Sequence, residues 1–435
     1  MIYNRRHPEK TDYYRIIEAN FEEFERQYPD LFEADYGYLR TEVMQGIYAY
    51  LECGIPENGV ARIRCECGED IFVAFSCKQR MACPSCATKR SILFGEKVRE
   101  IVKPLPHRHL TFTIPKILRA YFRRNRKLLK LLNQSANYAI EQYFHETMGI
   151  EDGYTGGIFC IQSHGSLLNF HPHVHAMVLA GILKDGKFYQ PIKISSEMIA
   201  EIFRARLLSV LLKQEVITQE LIDLLMSWNH NSGFNVHSKH KIHGSNGEAV
   251  EKIAKYISRA SISVERVEFN PEDNTVTVYE KQNRASSGKK ATYSVLEFIA
   301  LLAGHIPSPY ETVTFYYGVY SSSYRGKENK EKQKKGEKKI ETEELKGTAK
   351  ASSTWARLIH KIFEANPLTC PKCCKEMKII AFITDYQEVK KILKHIGEET
   401  QRAPPLPAAT VNLEFDFGDY TPPDEVYFHD QEYVC

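Results

Sequence analysis

The sequence predicts an α+β protein with a central antiparallel sheet flanked by helices. Strand-like alternation of apolar and polar residues marks three segments, at 107–115, 157–165 and 171–181. The last two are close in sequence and are expected to pair as antiparallel neighbours. Helical periodicity surrounds these strands, at 11–52, 116–148, 196–226, 247–259 and 294–304. The runs VERVEF and NTVTVYEK, on either side of residues 270–273, predict a further hairpin.

The length and composition suggest how the chain is divided. At 435 residues it is long enough for about three folding units. Residues 326–352 contain nine lysines and almost no apolar side chains, which predicts a disordered linker. We therefore expect an N-terminal helical region at 1–52, a zinc-binding module at 53–98, the main α+β domain at 99–325, this linker, and a small C-terminal accessory domain with a CxxC knuckle and an acidic tail at 353–435.

Charge and hydropathy narrow the class of protein. The chain has 58 Lys and Arg against 55 Asp and Glu, a net charge of +3, so a uniformly basic coat for nucleic acid is excluded. Any polyanion must be bound by local clusters. The N-terminus lacks the apolar core of a signal peptide, and no apolar run approaches the length of a membrane span. These features predict a cytoplasmic protein without membrane contact.

The motif HPHVH at 171–175 predicts a metal site. Residues two apart on a strand share a face, so His173 and His175 can present ring nitrogens to one cation. The neighbouring strand offers Gln162 and His164 as a third ligand, and the spacing leaves both open. Two imidazoles with an amide or a third imidazole suit Mg²⁺ or Mn²⁺ acting on phosphate oxygens. The alternative is a structural histidine-rich strand.

The helix GEAVEKIAKYIS contains the candidate nucleophile Tyr256. On its polar side stand the cations Lys252 and Arg259, with Lys255 adjacent in sequence. Cations can stabilise a phenolate, and a tyrosine oxygen can accept a phosphoryl group. Most tyrosines are core or rim residues, so the argument depends on the histidine pair upstream.

The cysteines between residues 65 and 86 predict structural zinc. Two close pairs, Cys65 with Cys67 and Cys83 with Cys86, can supply the four thiolates of a tetrahedral site, and Cys77 is an alternative ligand. The alternative is a set of buried free thiols. The later motif CPKCC at 370–374 is a single knuckle with no evident second pair, so a second zinc site stays open.

A basic segment at 115–130 predicts contact with a phosphate backbone. It contains seven basic residues and no acidic ones, and we expect most of its cations to share one helical face. The candidate DNA-binding residues are Lys116, Arg119, Arg123, Arg124, Lys127 and Lys130. A merely solvated helix face is the alternative.

Taken in order, these motifs resemble the transposases of insertion-sequence-91-like elements and the related insertion sequence common region elements. The likeness spans about residues 51–397 and rests on LECG, CECG, VAFSCKQRMACPSC, QSHGSLLNFHPHVH, KYISRASIS and CPKCCKEMKIIAFI. This family is a branch of the HUH endonuclease superfamily. A lysine stands at position 252, four before Tyr256, where two-tyrosine members have their other tyrosine. The sequence therefore resembles the one-tyrosine branch.

The resemblance implies what the main domain does. It implies an HUH nuclease core at 99–325, with a zinc module before it and Tyr256 forming a 5′-phosphotyrosine link to single-stranded DNA in rolling-circle-like transposition. It also favours Gln162 over His164 as third ligand to Mg²⁺ or Mn²⁺. The expected partners are single-stranded or hairpin ends of a mobile element and target DNA, in the nucleoid of a bacterium. A rolling-circle replication initiator, a relaxase and a non-catalytic zinc-dependent DNA-binding regulator are the rival functions.

Overall fold

A computed structural model describes residues 6–228, 233–280, 288–308, 310–334 and 368–397 of the chain. The N-terminal part contains α1 (Asp12–Leu31), α2 (Glu33–Tyr36), α3 (Thr41–Leu51), β1 (Val60–Arg64), β2 (Asp70–Ala74) and α4 (Pro84–Ile101). It is followed by β3 (Pro106–Thr113), α5 (Lys116–Arg124), α6 (Leu129–Met148), β4 (Gly156–His164), β5 (Phe170–Leu179), β6 (Ile182–Lys184), β7 (Lys187–Tyr189), α7 (Ser196–Lys213) and α8 (Gln219–Ser227).

The second half of the described chain begins with β8 (Asn235–His243) and α9 (Gly247–Ile257). Next come β9 (Val267–Asn270), β10 (Thr275–Tyr279), β11 (Lys290–Ser294), α10 (Val295–His305), β12 (Thr314–Gly318), α11 (Ser322–Lys334), β13 (Lys378–Ile383) and α12 (Tyr386–His395). None of the helices in these ranges is both long and apolar enough to cross a bilayer.

The central sheet has five strands in the order β12-β4-β5-β3-β8, and every neighbouring pair is antiparallel. The expected pairing of the second and third predicted strands, β4 and β5, is confirmed. The strand that contains HPHVH, β5, is the middle strand, so hydrogen bonds to β4 and β3 hold both its edges. A side chain on β5 therefore has a fixed position.

Helices cover both faces of this sheet. On one face, Val174, Ala176 and Val178 of β5 share a core with helices α5 to α7. On the other, Met177 and Leu179 pack with Val250 and Ala254 of α9 and with Val98 of α4. His173 and His175 have the same alternation as Met177, so they lie on the face covered by α9 and α4.

Polar caps fix where several helices begin. The N-caps of α1, α7, α8 and α9 each accept a hydrogen bond from the backbone N–H three positions later: Thr11, Ser195, Thr218 and Asn246. A capping box of Ser294 and Glu297 starts α10. The predicted helix at 247–259 ends slightly earlier, at Ile257, so Arg259 lies beyond it.

The terminal parts of the described chain are not separate cores. Helices α1 to α3 share one buried cluster with α10 and the sheet β9-β10-β11, whose first two strands form the expected hairpin. Strand β13, in the predicted accessory domain, pairs with β1 and forms the sheet β13-β1-β2 with the predicted zinc module. The regions expected to be an N-terminal unit and a C-terminal unit therefore pack on other parts of the chain.

Three predicted segments have different boundaries in the structure. The single helix expected at 116–148 is broken at Asn125, which caps a short 3-10 turn at Arg126–Leu128 before α6 begins. The helix expected at 196–226 is two helices, α7 and α8. The first nine residues of the expected linker lie in α11, where Glu328 pairs with Lys103 at 2.8 Å. The remaining linker, 335–352, and residues 353–367 and 398–435 lie outside the described residues.

Candidate active site

The histidine pair of β5 is buried on the sheet face beneath α9. His173 lies opposite Gln162 of β4 and Thr113 of β3, while His175 lies opposite Cys160 and Thr111. Both histidines are less than a tenth exposed. Their Nε2 atoms are 3.1 Å apart. The two ring nitrogens therefore converge on one point, as the spacing of the motif predicts.

Neighbouring groups orient both rings. The Nδ1 of His173 lies 2.7 Å from the carbonyl oxygen of His171, which can only accept, so this Nδ1 carries the proton. The Nδ1 of His175 lies 3.0 Å from Thr111 Oγ1 and 3.1 Å from His109 Nε2. A proton on that Nδ1 can be donated to either group. Each Nε2 then keeps a free lone pair directed at the other.

The protonation state of the pair suits metal binding. Burial lowers the pKa of His173 to about 4, and burial and the neighbouring His173 hold the pKa of His175 well below its ordinary value. Both rings are therefore neutral at pH 7, and a neutral imidazole is the form that binds metals. Two imidazole nitrogens bound at right angles to one ion, at about 2.1 Å each, lie about 3 Å apart. The observed separation of 3.1 Å fits such a site.

Gln162 fits as an oxygen donor beside the pair. Its Nε2 donates to the carbonyl oxygens of Ile257, at 2.9 Å, and Tyr256, at 3.3 Å. Because carbonyls only accept, these bonds fix which end of the amide is nitrogen. The other end, Oε1, is buried and has no hydrogen-bond partner among the described residues. A buried oxygen with a free lone pair can serve as a ligand to a metal ion.

The alternative third ligand, His164, is placed differently. Its ring contacts that of His305, with centroids 5.9 Å apart. In the described part of the chain, no third Cys, His, Asp or Glu forms a compact three-donor group with His173 and His175. Both ring nitrogens of His164 are also buried without a hydrogen-bond partner among the described residues. Gln162 stays the preferred ligand because it lies directly opposite His173, and His164 stays the alternative.

Tyr256 lies on α9 against the histidines. Its ring makes edge-to-face contacts with His175, at 5.3 Å between centroids, and with His109, at 5.8 Å. The side chain is 40% exposed, so a large substrate can approach it. The guanidinium of Arg259 lies 4.9 Å from the ring centroid, a cation–π contact. A tyrosine, a cation and two convergent imidazoles thus share one site.

The other two candidate cations, Lys255 and Lys252, have different surroundings. Lys255 pairs with Glu251 at 2.7 Å, and its carbonyl accepts a hydrogen bond from Ser91 of α4. Lys252 is exposed. Of the three candidate cations, Arg259 is the one that contacts the Tyr256 ring in the described part of the chain.

Sequence reasoning missed His109 and Thr111 of β3. Both support His175, and His109 also contacts Tyr256. The available signal was HRH at 107–109, two histidines on a predicted strand. The first of these, His107, has a structural role, because its ring bonds to Leu105 O and Tyr320 Oη at 2.7 and 2.6 Å.

The basic segment forms part of a groove at the start of β5, the strand that contains the histidine pair. Lys116, Arg119 and Arg123 of α5 line it with Asn169 and Phe170, which lead into β5. The other cations of the predicted face do not join them there. Arg124 donates to the carbonyl of Ala34, while Lys127 and Lys130 stand beyond the break in the helix, exposed. The single basic face expected over 116–130 is therefore wrong, because the helix ends at Arg124.

One cysteine cluster is complete within the N-terminal part of the chain. Cys53, Cys77, Cys83 and Cys86 bring their sulfurs within 4.8 Å of one another, and all are reduced. Closest contacts include Cys83 to Cys53 at 3.6 Å and Cys77 to Cys86 at 3.7 Å. Four sulfurs about 2.3 Å from a zinc ion in a tetrahedron lie about 3.8 Å apart. The cluster therefore fits one zinc ion.

The predicted grouping of the zinc ligands is wrong for Cys65 and Cys67. These residues lie on the turn after β1, whereas Cys83 and Cys86 lie at the start of α4 and are joined by Cys53 and Cys77. Cys65 and Cys67 instead meet Cys370 and Cys373 of the C-terminal knuckle. Sequence spacing could not show this, because strand pairing over 300 residues decides it.

Comparisons with known proteins agree with this arrangement. Residues 156–329, which contain the histidine pair and Tyr256, match the family model described as "Putative transposase". Residues 21–114 match a "Transposase zinc-binding domain" of insertion-sequence-91 type, which contains the whole Cys53 cluster and supports structural zinc there. No solved structure matches the chain.

A curated relative points the same way. The chain is similar to the "Transposase for insertion sequence element IS801" of Pseudomonas savastanoi pv. phaseolicola, with 25% identity over 307 residues, covering 67% of this chain and 73% of the relative. These matches support the assignment of the chain as a transposase, an enzyme that processes DNA. Over these matched ranges the chain is similar to transposases of the insertion-sequence-91 type, as the motifs predicted.

Proposed function

We propose that this transposase cleaves and rejoins single-stranded DNA by HUH-type chemistry with Tyr256 as nucleophile. The observation that carries the proposal is the contact of the Tyr256 ring with His175, whose Nε2 converges with that of His173. A nucleophile beside a preformed pair of neutral imidazoles is the arrangement that metal-assisted phosphoryl transfer requires.

The proposed step exchanges one phosphodiester for another. The Oη of Tyr256 bonds to the phosphorus at a DNA end while the bond from phosphorus to the 3′ oxygen breaks. The phenol proton ends on the departing oxygen through solvent, which gives a 5′-phosphotyrosine and a free 3′-OH. Since no bond energy is lost to water, a later 3′-OH can reverse the step at a target and complete strand transfer without ATP.

Each side chain of the site has a separate role in that step. His173, His175 and Gln162 Oε1 would hold Mg²⁺ or Mn²⁺, which as a Lewis acid neutralises charge on the scissile phosphate. Thr111 and His109 keep the His175 ring in place. Arg259, which lies over the Tyr256 ring, would contact the same phosphate as charge develops on it.

The groove at α5 is the proposed path of the strand. Lys116, Arg119 and Arg123 line it, and its Phe170 begins the β5 strand that contains the histidines. Cations along a groove bind a phosphate backbone without reading sequence, and an aromatic ring there can stack on a base. A single-stranded or hairpin end of the element could pass from this groove to Tyr256.

A covalent-capture experiment tests the proposal. Incubation with a labelled single-stranded oligonucleotide of an element end and Mn²⁺ should give a protein–DNA band that survives denaturation. Tyr256→Phe should abolish the band, and His173→Ala with His175→Ala should reduce it at least 100-fold. Tyr189→Phe is the matched control, since Tyr189 is also 40% exposed but lies on β7. An unchanged band in Tyr256→Phe, or none in the wild type, would refute the mechanism.

A further inference from the structure

The second cysteine cluster joins two distant parts of the chain. Cys65 and Cys67 flank Glu66 after β1, and Cys370 and Cys373 belong to the knuckle before β13. The Sγ of Cys65 lies 3.4 Å from that of Cys373, and the Sγ of Cys67 lies 3.6 Å from that of Cys370. All four sulfurs lie within 4.8 Å of one another.

These contacts are not disulfides, and they are not ordinary core packing. A disulfide joins its sulfurs at about 2.05 Å, and these cysteines are free. Cys67 is exposed and Cys373 only half-buried, so burial of an apolar thiol does not explain why the four sulfurs meet. Thiolates about 2.3 Å from one zinc ion would lie about 3.8 Å apart, close to the observed separations.

Tight turns prepare each pair for a metal. At the first, Gly68 N–H donates to Cys65 O at 3.0 Å, and Gly68 has a φ of +93° that favours glycine. At the second, Cys374 N–H donates to Cys370 O at 2.9 Å. Each turn directs two sulfurs to one side, which is how zinc knuckles present thiolates.

The unit that the cluster closes has little core of its own. Beneath the cysteines, the buried side chains are Ile63, Val73 and Met377. A second small group under α12 consists of Val60, Val389 and Leu393. Units with so few buried apolar residues usually depend on a metal or a disulfide for stability.

We propose that Cys65, Cys67, Cys370 and Cys373 bind a second zinc ion, which fastens the C-terminal segment to the β1–β2 hairpin. The pairing of β13 with β1 in the sheet β13-β1-β2 then depends on the metal. Half of this ligand set lies beyond both family-model matches, which end at residues 329 and 114. The site is separate from the Cys53 cluster and does not depend on the proposed cleavage chemistry.

Zinc content of the full-length protein, purified in reducing buffer, tests the stoichiometry. The wild type should contain two zinc ions per chain. The double variants Cys65→Ser with Cys67→Ser, and Cys370→Ser with Cys373→Ser, should each contain one. Cys374→Ser is the matched control and should keep two, because Cys374 is exposed beside the knuckle and outside the cluster. A zinc content that neither double variant lowers would overturn the proposal.

Hydrogen exchange tests the consequence for the fold. Amides of β13 should exchange at least tenfold faster in Cys65→Ser with Cys67→Ser, although the changed residues lie more than 300 positions away in sequence. Exchange in β4 and β5 should stay as in the wild type, which shows that the variant is folded. The single variant Cys67→His, which replaces one zinc ligand by another at an exposed position, should keep both the zinc and the protection of β13. Wild-type exchange of β13 in the double variant would contradict metal-dependent closure.

Discussion

The two ends of the Gln162 side-chain amide have different roles. The nitrogen ties β4 to the end of α9 through the carbonyls of Tyr256 and Ile257, and the oxygen is the buried orphan beside His173. The residue therefore ties α9, which contains the proposed nucleophile Tyr256, to the sheet that contains the histidines. A carboxylate would keep the oxygen donor but lose the nitrogen.

We expect Gln162→Glu to harm both stability and activity. A carboxylate oxygen would face two carbonyl oxygens, and the lost hydrogen bonds should cost about 1–3 kcal/mol of unfolding free energy. The covalent DNA band should fall because α9 loses its tether. Urea unfolding and the capture assay measure the two effects, with exposed Gln190→Glu as control. A stable Gln162→Glu variant with a stronger band would show that the residue is a ligand only.

At the scale of elements, α4 connects the first cysteine cluster to α9, the helix that contains the proposed nucleophile Tyr256. Cys83 and Cys86 lie at the start of α4, and further along it Ser91 donates to the carbonyl of Lys255 at 2.9 Å. One turn later, Gly95 lets α9 approach so closely that an added Cβ would be 3.0 Å from side-chain atoms of Lys255. The position of Tyr256 thus depends on α4.

Widening this contact should displace the nucleophile. In Gly95→Val the new side chain would collide with α9, including the Glu251 carbonyl, at a cost of about 1–3 kcal/mol. We expect the covalent band to drop at least tenfold while zinc content is unchanged. The control is Gly326→Val in α11, where an added Cβ meets nothing within 4 Å. Full activity in a destabilised Gly95→Val variant would show that α9 is positioned without α4.

At the scale of the whole molecule, buried neutral histidines make stability depend on pH. His107 accepts from Tyr320 Oη and His305 accepts from Ser163 Oγ, while each donates its other N–H to a backbone carbonyl. Burial lowers the pKa of both to about 4. The unfolded chain, with histidine pKa values near 6.5, binds more protons between those limits. Stability is thus fully present above pH 6.5 and is lost as the pH falls towards 4.

Urea unfolding between pH 7 and 4.5 measures this loss of stability. Each of the two histidines should contribute up to about 3 kcal/mol to the loss, since one pKa unit is worth about 1.4 kcal/mol. The double variant His107→Gln with His305→Gln should be less stable at pH 7 but should lose less stability on acidification. His237→Gln, at an exposed position, serves as control and should keep the wild-type slope. Equal slopes in all three proteins would mean that other groups control acid unfolding.

The sequence by itself determined the main candidate site residues of this protein and much of its local structure. The alternation in HPHVH placed His173 and His175 on one face, and the motifs identified the transposase family. Strands β3 to β5 and the hairpin β9–β10 were predictable as well. These features depend on residue type and short spacing, which a linear pattern contains.

Only the tertiary structure decided which distant residues meet. It brought His109 to His175, tied Gln162 to α9, and divided eight cysteines into two clusters, one of which unites residues 65 and 373. Strand order and the packing of helices on the sheet decide these contacts, and they can join residues at any separation along the chain. The four thiolates of a zinc site have to be close in space, whatever their separation in sequence. The pair Cys65 and Cys67 therefore meets Cys370 and Cys373, more than 300 residues away, instead of the nearby Cys83 and Cys86.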